Sequence, residues 1–209
     1  MKPVNLGVLI SGRGSNLQAI HEAIGSRMLD AAIRVVISNK EHAPGLERAR
    51  GQGLNGIFLD PKRFASASHP REEYDRAIVQ LLREAHVDLV VLAGYMRIVT
   101  PILIHAYPWR IMNIHPSLLP AFPGLNAQQQ ALEWGVKVSG CTVHFVTEGV
   151  DEGPIIRQAA VPVLEGDTVD SLSARILEQE HRILPEAIQL FAENRLRVEG
   201  RRVRVRESG

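Results

Sequence analysis

The chain has 209 residues, 45% hydrophobic and 22% charged, and at this length roughly 70% of the unfolded surface is buried on folding, so intrinsic disorder is excluded. With 24 Lys and Arg against 23 Asp and Glu the formal net charge is +1. Such a balance supplies no general field to gather nucleic acid or an anionic membrane, and any anionic ligand must be held by local groups. The one cysteine, Cys141, cannot form an intrachain disulfide, and no Asn-x-Ser/Thr sequon occurs. Val8-Leu9-Ile10 is too short for a signal-peptide core, and no apolar run approaches the length of a membrane span. A soluble, cytoplasmic protein is expected, with no membrane and no nucleic-acid partner.

Val4 to Ile10 reads as an apolar strand that stops at Ser11-Gly-Arg-Gly-Ser-Asn16. Leu17, Ile20 and Ile24 then recur at helical spacing up to Gly25. Ile33 to Ser38 is a second buried strand, Pro44 opens a helix through about Gln52, and Gly56 to Leu59 is a short strand. After a loop containing Pro61 and Pro70, residues 72 to 85 carry Ala77, Ile78, Leu81 and Leu82 among charges, an amphipathic helix. Asp88 to Ala93 is the most apolar strand. Thr100 caps a helix whose first turn holds Pro101, and Ile111 to Ile114 is the next strand.

This alternation, with strands too uniformly apolar to have a wet face, predicts an α/β fold with a doubly wound, mostly parallel sheet covered by helices. The C-terminal part differs. Gly140 to Val146 and Pro154 to Val163 are strands that can pair across the loop Thr147 to Gly153. A long helix from Val169 to about Asn194 is expected to kink or break near Pro185. Leu196 to Val205 alternates apolar and charged residues around Glu199-Gly200, as a hairpin does, and its arginines read as edge protection because no stacking aromatics are interleaved.

The first glycine-rich loop lies between a strand end and a helix start, where open sheets bind ligands and backbone amides suit a phosphate. As a dinucleotide fingerprint it is poor: Leu17 replaces the third glycine, and Ser38-Asn39-Lys40 offers no acid for a ribose. Gly12 and Gly14 could simply make a tight turn; Ser15 and Asn16 at a helix start favour a phosphate monoester site. Asn113 and His115 share one face of a strand end, and an amide donor beside an imidazole can stabilise an oxyanion and pass a proton. The stiff sequel His115-Pro-Ser-Leu-Leu-Pro120 would order the loop that follows. Asp151 could orient a histidine, or be a solvated turn aspartate. Cys141 and His144 point to opposite faces of one strand, so Cys141 reads as a small buried hydrophobe. The histidines form no metal-ligand pattern, and no metal is expected.

Ser11-Gly-Arg-Gly-Ser-Asn16, Leu92-Ala-Gly-Tyr-Met-Arg-Ile98, Asn113-Ile-His-Pro-Ser-Leu-Leu-Pro120, Val143-His-Phe-Val146 and Asp151-Glu-Gly-Pro154 together resemble the phosphoribosylglycinamide formyltransferase family of folate-dependent formyltransferases, almost end to end. The resemblance implies a Rossmann-like formyltransferase fold in a single domain, 1–209. Its half 1–110 would bind the substrate phosphate, and 111–209 would be the catalytic and folate-binding half. It also implies direct transfer of the formyl group of 10-formyltetrahydrofolate, a cosubstrate, to the amine of glycinamide ribonucleotide in de novo purine biosynthesis. The transfer passes through a tetrahedral intermediate, with no metal.

Asn113 and His115 would then stabilise the oxyanion, His115 would donate a proton, and Asp151 would hold and charge the imidazole. Gly14, Ser15 and Asn16 would bind the phosphate. Glu180 matches the position that contacts the glycinamide end, although a solvated helix glutamate is an equal reading. Arg71, Met96, Arg97, Ile98 and Val99, together with Asn113, would bind the folate, and Arg97 reads nearly as well as a surface residue. Leu125-Asn-Ala-Gln-Gln-Gln130 lacks the histidines certain members carry.

Two alternatives remain within reach of the same residues. One is a formyltetrahydrofolate hydrolase, whose relatives carry an N-terminal regulatory domain for which a first strand at Val4 leaves no room. The other is a noncatalytic module binding a nucleotide or sugar phosphate. A methionyl-tRNA formyltransferase would need a C-terminal domain and a basic surface. Monomer and homodimer are equally compatible.

Overall fold

The computed structural model describes residues 2–207; the expected domain limits, Met1 and Gly209, lie outside them. The chain divides into two compact units after Met112.

In the first unit, strands β1 (Val4–Ile10), β2 (Ala31–Ser38), β3 (Gly56–Phe58) and β4 (Leu89–Leu92) alternate with helices α1 (Ser15–Gly25), α2 (Pro44–Gly51), α3 (Pro70–Glu84) and α4 (Pro101–Ala106). The strand order is β3-β2-β1-β4, and every pairing is parallel, with Val4 opposite Ala31, Leu6 opposite Leu89 and Val36 opposite Gly56. Leu6, Val8, Leu9 and Ile10 are all buried, as strands covered on both faces must be.

Three local expectations are corrected. Strand β2 begins at Ala31, two residues early. Pro70 is not in a loop but in the first turn of α3, where its missing N–H is harmless, and Pro61 opens a short 3-10 turn, Pro61–Phe64. Thr100 occupies the cap position of α4 without making a side-chain cap bond, because its hydroxyl donates to Asp75 instead.

Strand β5 (Ile111–His115) carries Asn113 to His115 into the second unit, which continues with α5 (Ala127–Glu133), β6 (Val138–Phe145), β7 (Ile155–Pro162), α6 (Val169–Ala192), β8 (Leu196–Glu199) and β9 (Arg202–Val205). Its strands lie in the order β5-β6-β7-β9-β8. The expected β6–β7 pairing is antiparallel, Cys141 opposite Ala159, and the C-terminal hairpin forms with Val198 opposite Val203. Arg197 and Arg204 face each other across it. The like charges are offset by Glu199, whose two carboxylate oxygens each take one guanidinium.

Helix α6 buries the stripe Leu172, Ile176, Ile183, Leu184, Ala187 and Ile188. It runs for 24 residues through Pro185 without the expected break, because one missing N–H does not outweigh the burial of this apolar stripe. A capping box joins Thr168 and Ser171 at its start.

Candidate active site

Strand β5 ends at Asn113 and His115, and the loop after β6 brings Asp151 to them. His115 Nδ1 lies 3.3 Å from Asp151 Oδ2, Asn113 Nδ2 lies 3.5 Å from Asp151 Oδ1, and the Gly124 amide donates to Asp151 Oδ2 at 2.8 Å. The acid is therefore a partly buried hub, and not a solvated turn residue. Its backbone is left-handed, at φ 56°, a region disfavoured for side chains with a Cβ. Phe122 shares that conformation, at φ 53°. Non-glycine residues of this kind gather where the surroundings force a geometry.

Hydrogen bonding fixes the imidazoles. His115 Nε2 is 2.8 Å from the Phe122 carbonyl, which can only accept, so Nε2 keeps its proton and Nδ1, facing Asp151, is the nitrogen that titrates. By the same logic His144 Nδ1 donates to the Phe145 carbonyl at 2.9 Å. His144 Nε2 is then left to accept from Asn113 Nδ2 at 3.2 Å, and it lies 3.6 Å from Asp151 Oδ1.

Burial pushes the His115 pKa below the ordinary imidazole value; the Phe122 carbonyl and Asp151 act in the opposite direction without prevailing. For Asp151, burial alone would raise the value. The adjacent His144 imidazole, the amide donated by Gly124 and the His115 charge more than offset it and hold the carboxyl below its ordinary range.

The segment between His115 and Phe122 is ordered from β6 and β7. Thr142 Oγ1 donates to the Ser117 carbonyl at 2.7 Å and accepts from the Leu119 amide at 3.0 Å, while Gln158 donates to the Leu119 carbonyl at 2.9 Å. Glu180, on α6, is 7% exposed, which removes the solvated reading. Burial, and then the Glu180 charge, push the Cys141 thiol up to about 12, so Cys141 is an inert buried thiol, as expected.

In the first unit, Gly14 is the left-handed cap of α1, at φ 70°, with Ser15 half-buried and Asn16 buried behind it. A Cβ on Gly14 would come within 2.7 Å of Gly45 Cα, and one on Gly45 within 2.9 Å of the Gly12 carbonyl. The Gly45 amide donates to that carbonyl at 3.0 Å. The start of α2 thus braces the glycine-rich loop.

Segment 96–99 presents Met96, 64% exposed, and Ile98, 59% exposed, while Val99 is buried. Arg97 lies over the Tyr74 ring at 4.6 Å, and Arg71 donates to the Ile98 carbonyl at 3.3 Å. Beneath the segment sits Asp75, 4% exposed, accepting from the Thr100 amide at 2.6 Å and its hydroxyl at 2.8 Å. Burial raises the Asp75 pKa in spite of these bonds.

Sequence reasoning assigned no role to His144, the Phe122 carbonyl or the Gly124 amide. The signal for His144 was its place in the motif Val143-His-Phe-Val146, to which no role was attached.

The formyl transferase family model matches residues 4–188. Phosphoribosylglycinamide formyltransferase of Escherichia coli is 48% identical over 195 residues, 93% of this chain and 90% of that protein. The trifunctional purine biosynthetic protein adenosine-3 of Homo sapiens is 48% identical over 191 residues, 91% of this chain but only 18% of that protein. The crystal structure of glycinamide ribonucleotide transformylase 1 from Symbiobacterium toebii superposes with a TM-score of 0.94 at 58% identity, covering 99% of this chain and 95% of that one. A formyltetrahydrofolate deformylase from Pseudomonas syringae has a TM-score of 0.86 at 29% identity, covering 98% of this chain and 66% of that one. With its α/β, mostly parallel, Rossmann-like architecture and an antiparallel C-terminal hairpin, the chain belongs to the formyl transferase family.

Proposed function

We propose that this protein is a phosphoribosylglycinamide formyltransferase, which transfers the formyl group of 10-formyltetrahydrofolate directly to the amine of glycinamide ribonucleotide and gives formylglycinamide ribonucleotide in de novo purine biosynthesis. The observation that carries the reading is the convergence of Asn113, His115 and Asp151 within 3.5 Å contacts. Its support from kinship is the 48% identity to the Escherichia coli formyltransferase over most of both chains. Identity to the deformylase is much lower, at 29%.

In this reading the amine nitrogen attacks the formyl carbon, and the carbonyl oxygen becomes an oxyanion. Asn113 Nδ2 has two hydrogens. One goes to His144 at 3.2 Å, and the other meets Asp151 only at 3.5 Å, which leaves it for the oxyanion. The proton that moves is the one on His115 Nδ1. Asp151 stabilises it, and a separation of 3.3 Å exceeds a charge-assisted hydrogen bond, so the proton stays transferable. The attacking amine sheds one proton to His115 Nδ1, and collapse of the tetrahedral intermediate breaks the carbon–nitrogen bond to the folate, whose nitrogen takes that proton from His115.

Gly14, Ser15 and Asn16 bind the phosphate through the braced start of α1. Glu180 meets the glycinamide end. Met96 and Ile98 supply apolar surface to the pteridine ring, and Arg71, Arg97 and Val99 complete the folate site. Both parts, 1–110 and 111–209, belong to one formyltransferase domain in this proposal, acting in the cytoplasm as a monomer or homodimer on small molecules alone.

The test is consumption of 10-formyltetrahydrofolate with and without glycinamide ribonucleotide. Consumption that requires the amine is expected. Equal consumption in its absence would make the protein a hydrolase, and binding without any turnover would make it a noncatalytic module.

A further inference from the structure

Three loops of the first unit meet at a single hydroxyl. The Ser11 amide donates to the Gly94 carbonyl at 3.1 Å. Its Oγ accepts from the Met96 amide at 2.8 Å and donates to Asn39 Oδ1 at 2.6 Å. The direction is forced: Met96 N–H has only a proton to give, so the one hydroxyl proton must go to the carboxamide oxygen of Asn39. The result is a polarised chain, Met96 N–H to Ser11 O–H to Asn39, in which each bond strengthens the next.

Ser11 is the first residue of the loop that leads into Gly14, Ser15 and Asn16, and Met96 is the first residue of the segment that presents Met96 and Ile98. Gly94, two residues before it, is left-handed at φ 73°, so the backbone on that side turns sharply, and the Ser11 amide and hydroxyl hold both sides of the turn. The far end of the segment is held separately, by Asp75 on Thr100.

We infer that Ser11 is a positioning residue that couples the two ligand sites of the reaction, so that occupancy of the phosphate loop orders the folate-binding segment and the reverse. The inference rests on the functional reading above. A ligand that immobilises residues 14–16 fixes Ser11, and Ser11 fixes the Met96 amide. The second ligand then binds a segment whose ordering has already been met. By linkage the factor is the same in both directions.

Equilibrium dissociation constants for glycinamide ribonucleotide and for tetrahydrofolate, which has no formyl group to transfer, test this singly and together. In the unmodified protein each ligand is expected to tighten the other by about five-fold or more. In Ser11→Ala both ligands still bind alone and the factor falls to about one, whereas Ser11→Thr, which keeps the hydroxyl, restores it. A merely structural role would weaken single binding and leave the ratio intact. If Ser11→Ala does not fold, Asn39→Ala, which removes only the acceptor, decides by the same ratio. Absence of coupling in the unmodified protein, or full coupling in Ser11→Ala and Asn39→Ala, overturns the inference while the functional reading stands. Failure of both ligands to bind the unmodified protein overturns the functional reading and the inference with it.

Discussion

At the scale of single residues, the site rests on which nitrogen of His115 can change its proton. The Phe122 carbonyl holds Nε2 protonated, and Asp151 faces Nδ1 at 3.3 Å. Removing the imidazole or the charge that supports it should therefore damage the reaction far more than the fold. His115→Ala and Asp151→Asn are each expected to lower kcat by about 100-fold or more, with thermal unfolding little changed, as steady-state kinetics and calorimetry would show. Asp151 acts to raise the His115 pKa. In Asp151→Asn the His115 titration followed by NMR is therefore expected to move to lower pH; an unmoved titration would show that the carboxylate does not act on the imidazole. Asn113 and His115 were legible because a strand end with period two puts them on one face. Asp151 was legible only through the family resemblance, since its loop carries no periodicity. The Phe122 carbonyl and Gly124 amide were invisible, because every residue has these groups and only the left-handed turns aim them.

At the scale of elements, the reactive groups are held by neighbours that do no chemistry. The Gly14–Gly45 approach leaves no room for a Cβ on either residue. Gly45→Ala is expected to displace the loop, raising KM for the phosphate-bearing substrate several-fold more than KM for the folate; equal effects on both would contradict the assignment of this loop. Thr142 holds two backbone groups of the loop after β5. Thr142→Val leaves them unpaired and should destabilise the protein by about 1–3 kcal/mol, measurable by denaturant unfolding. The helices and strands with a clear apolar period were readable from sequence almost to the residue. Helix α5 was missed because Leu125 to Gln130 is polar and short, with no repeat to register. Its Gln130 side chain donates to the Leu125 carbonyl at 2.9 Å, a local bond that a hydrophobic pattern does not report. Asp75 was hidden in the opposite way. It stands on the buried face of α3 beside Tyr74 and Ile78, where periodicity predicts an apolar residue.

At the scale of the whole molecule, the buried titratable groups set the response to acid. The folded His115 pKa lies below 6.5, so under about that pH the unfolded chain binds more protons and stability falls as pH falls. Asp151, held below 3.8, contributes stability that is present above that value and is lost as pH drops toward its folded pKa. Asp75 works with the opposite sign. Its pKa is raised above 3.8, so its contribution is present below that value and is lost as pH rises through the folded one. Below about pH 6.5 the His115 contribution to the melting temperature is expected to fall with pH, and His115→Ala should remove that part of the pH dependence, leaving the opposing contribution of Asp75. The α/β class and the change to antiparallel pairing after residue 140 were legible because buried parallel strands and amphipathic helices write different patterns. The family resemblance puts a boundary between two halves at 110/111, and the compact units divide two residues later, after Met112, inside strand β5. The most direct test of the central claim is the fate of a carbon-13 formyl label on the folate, followed by NMR. The account predicts that the label appears on the glycinamide nitrogen, and that His115→Ala nearly abolishes its transfer; label released as free formate at the same rate with or without the amine would contradict it.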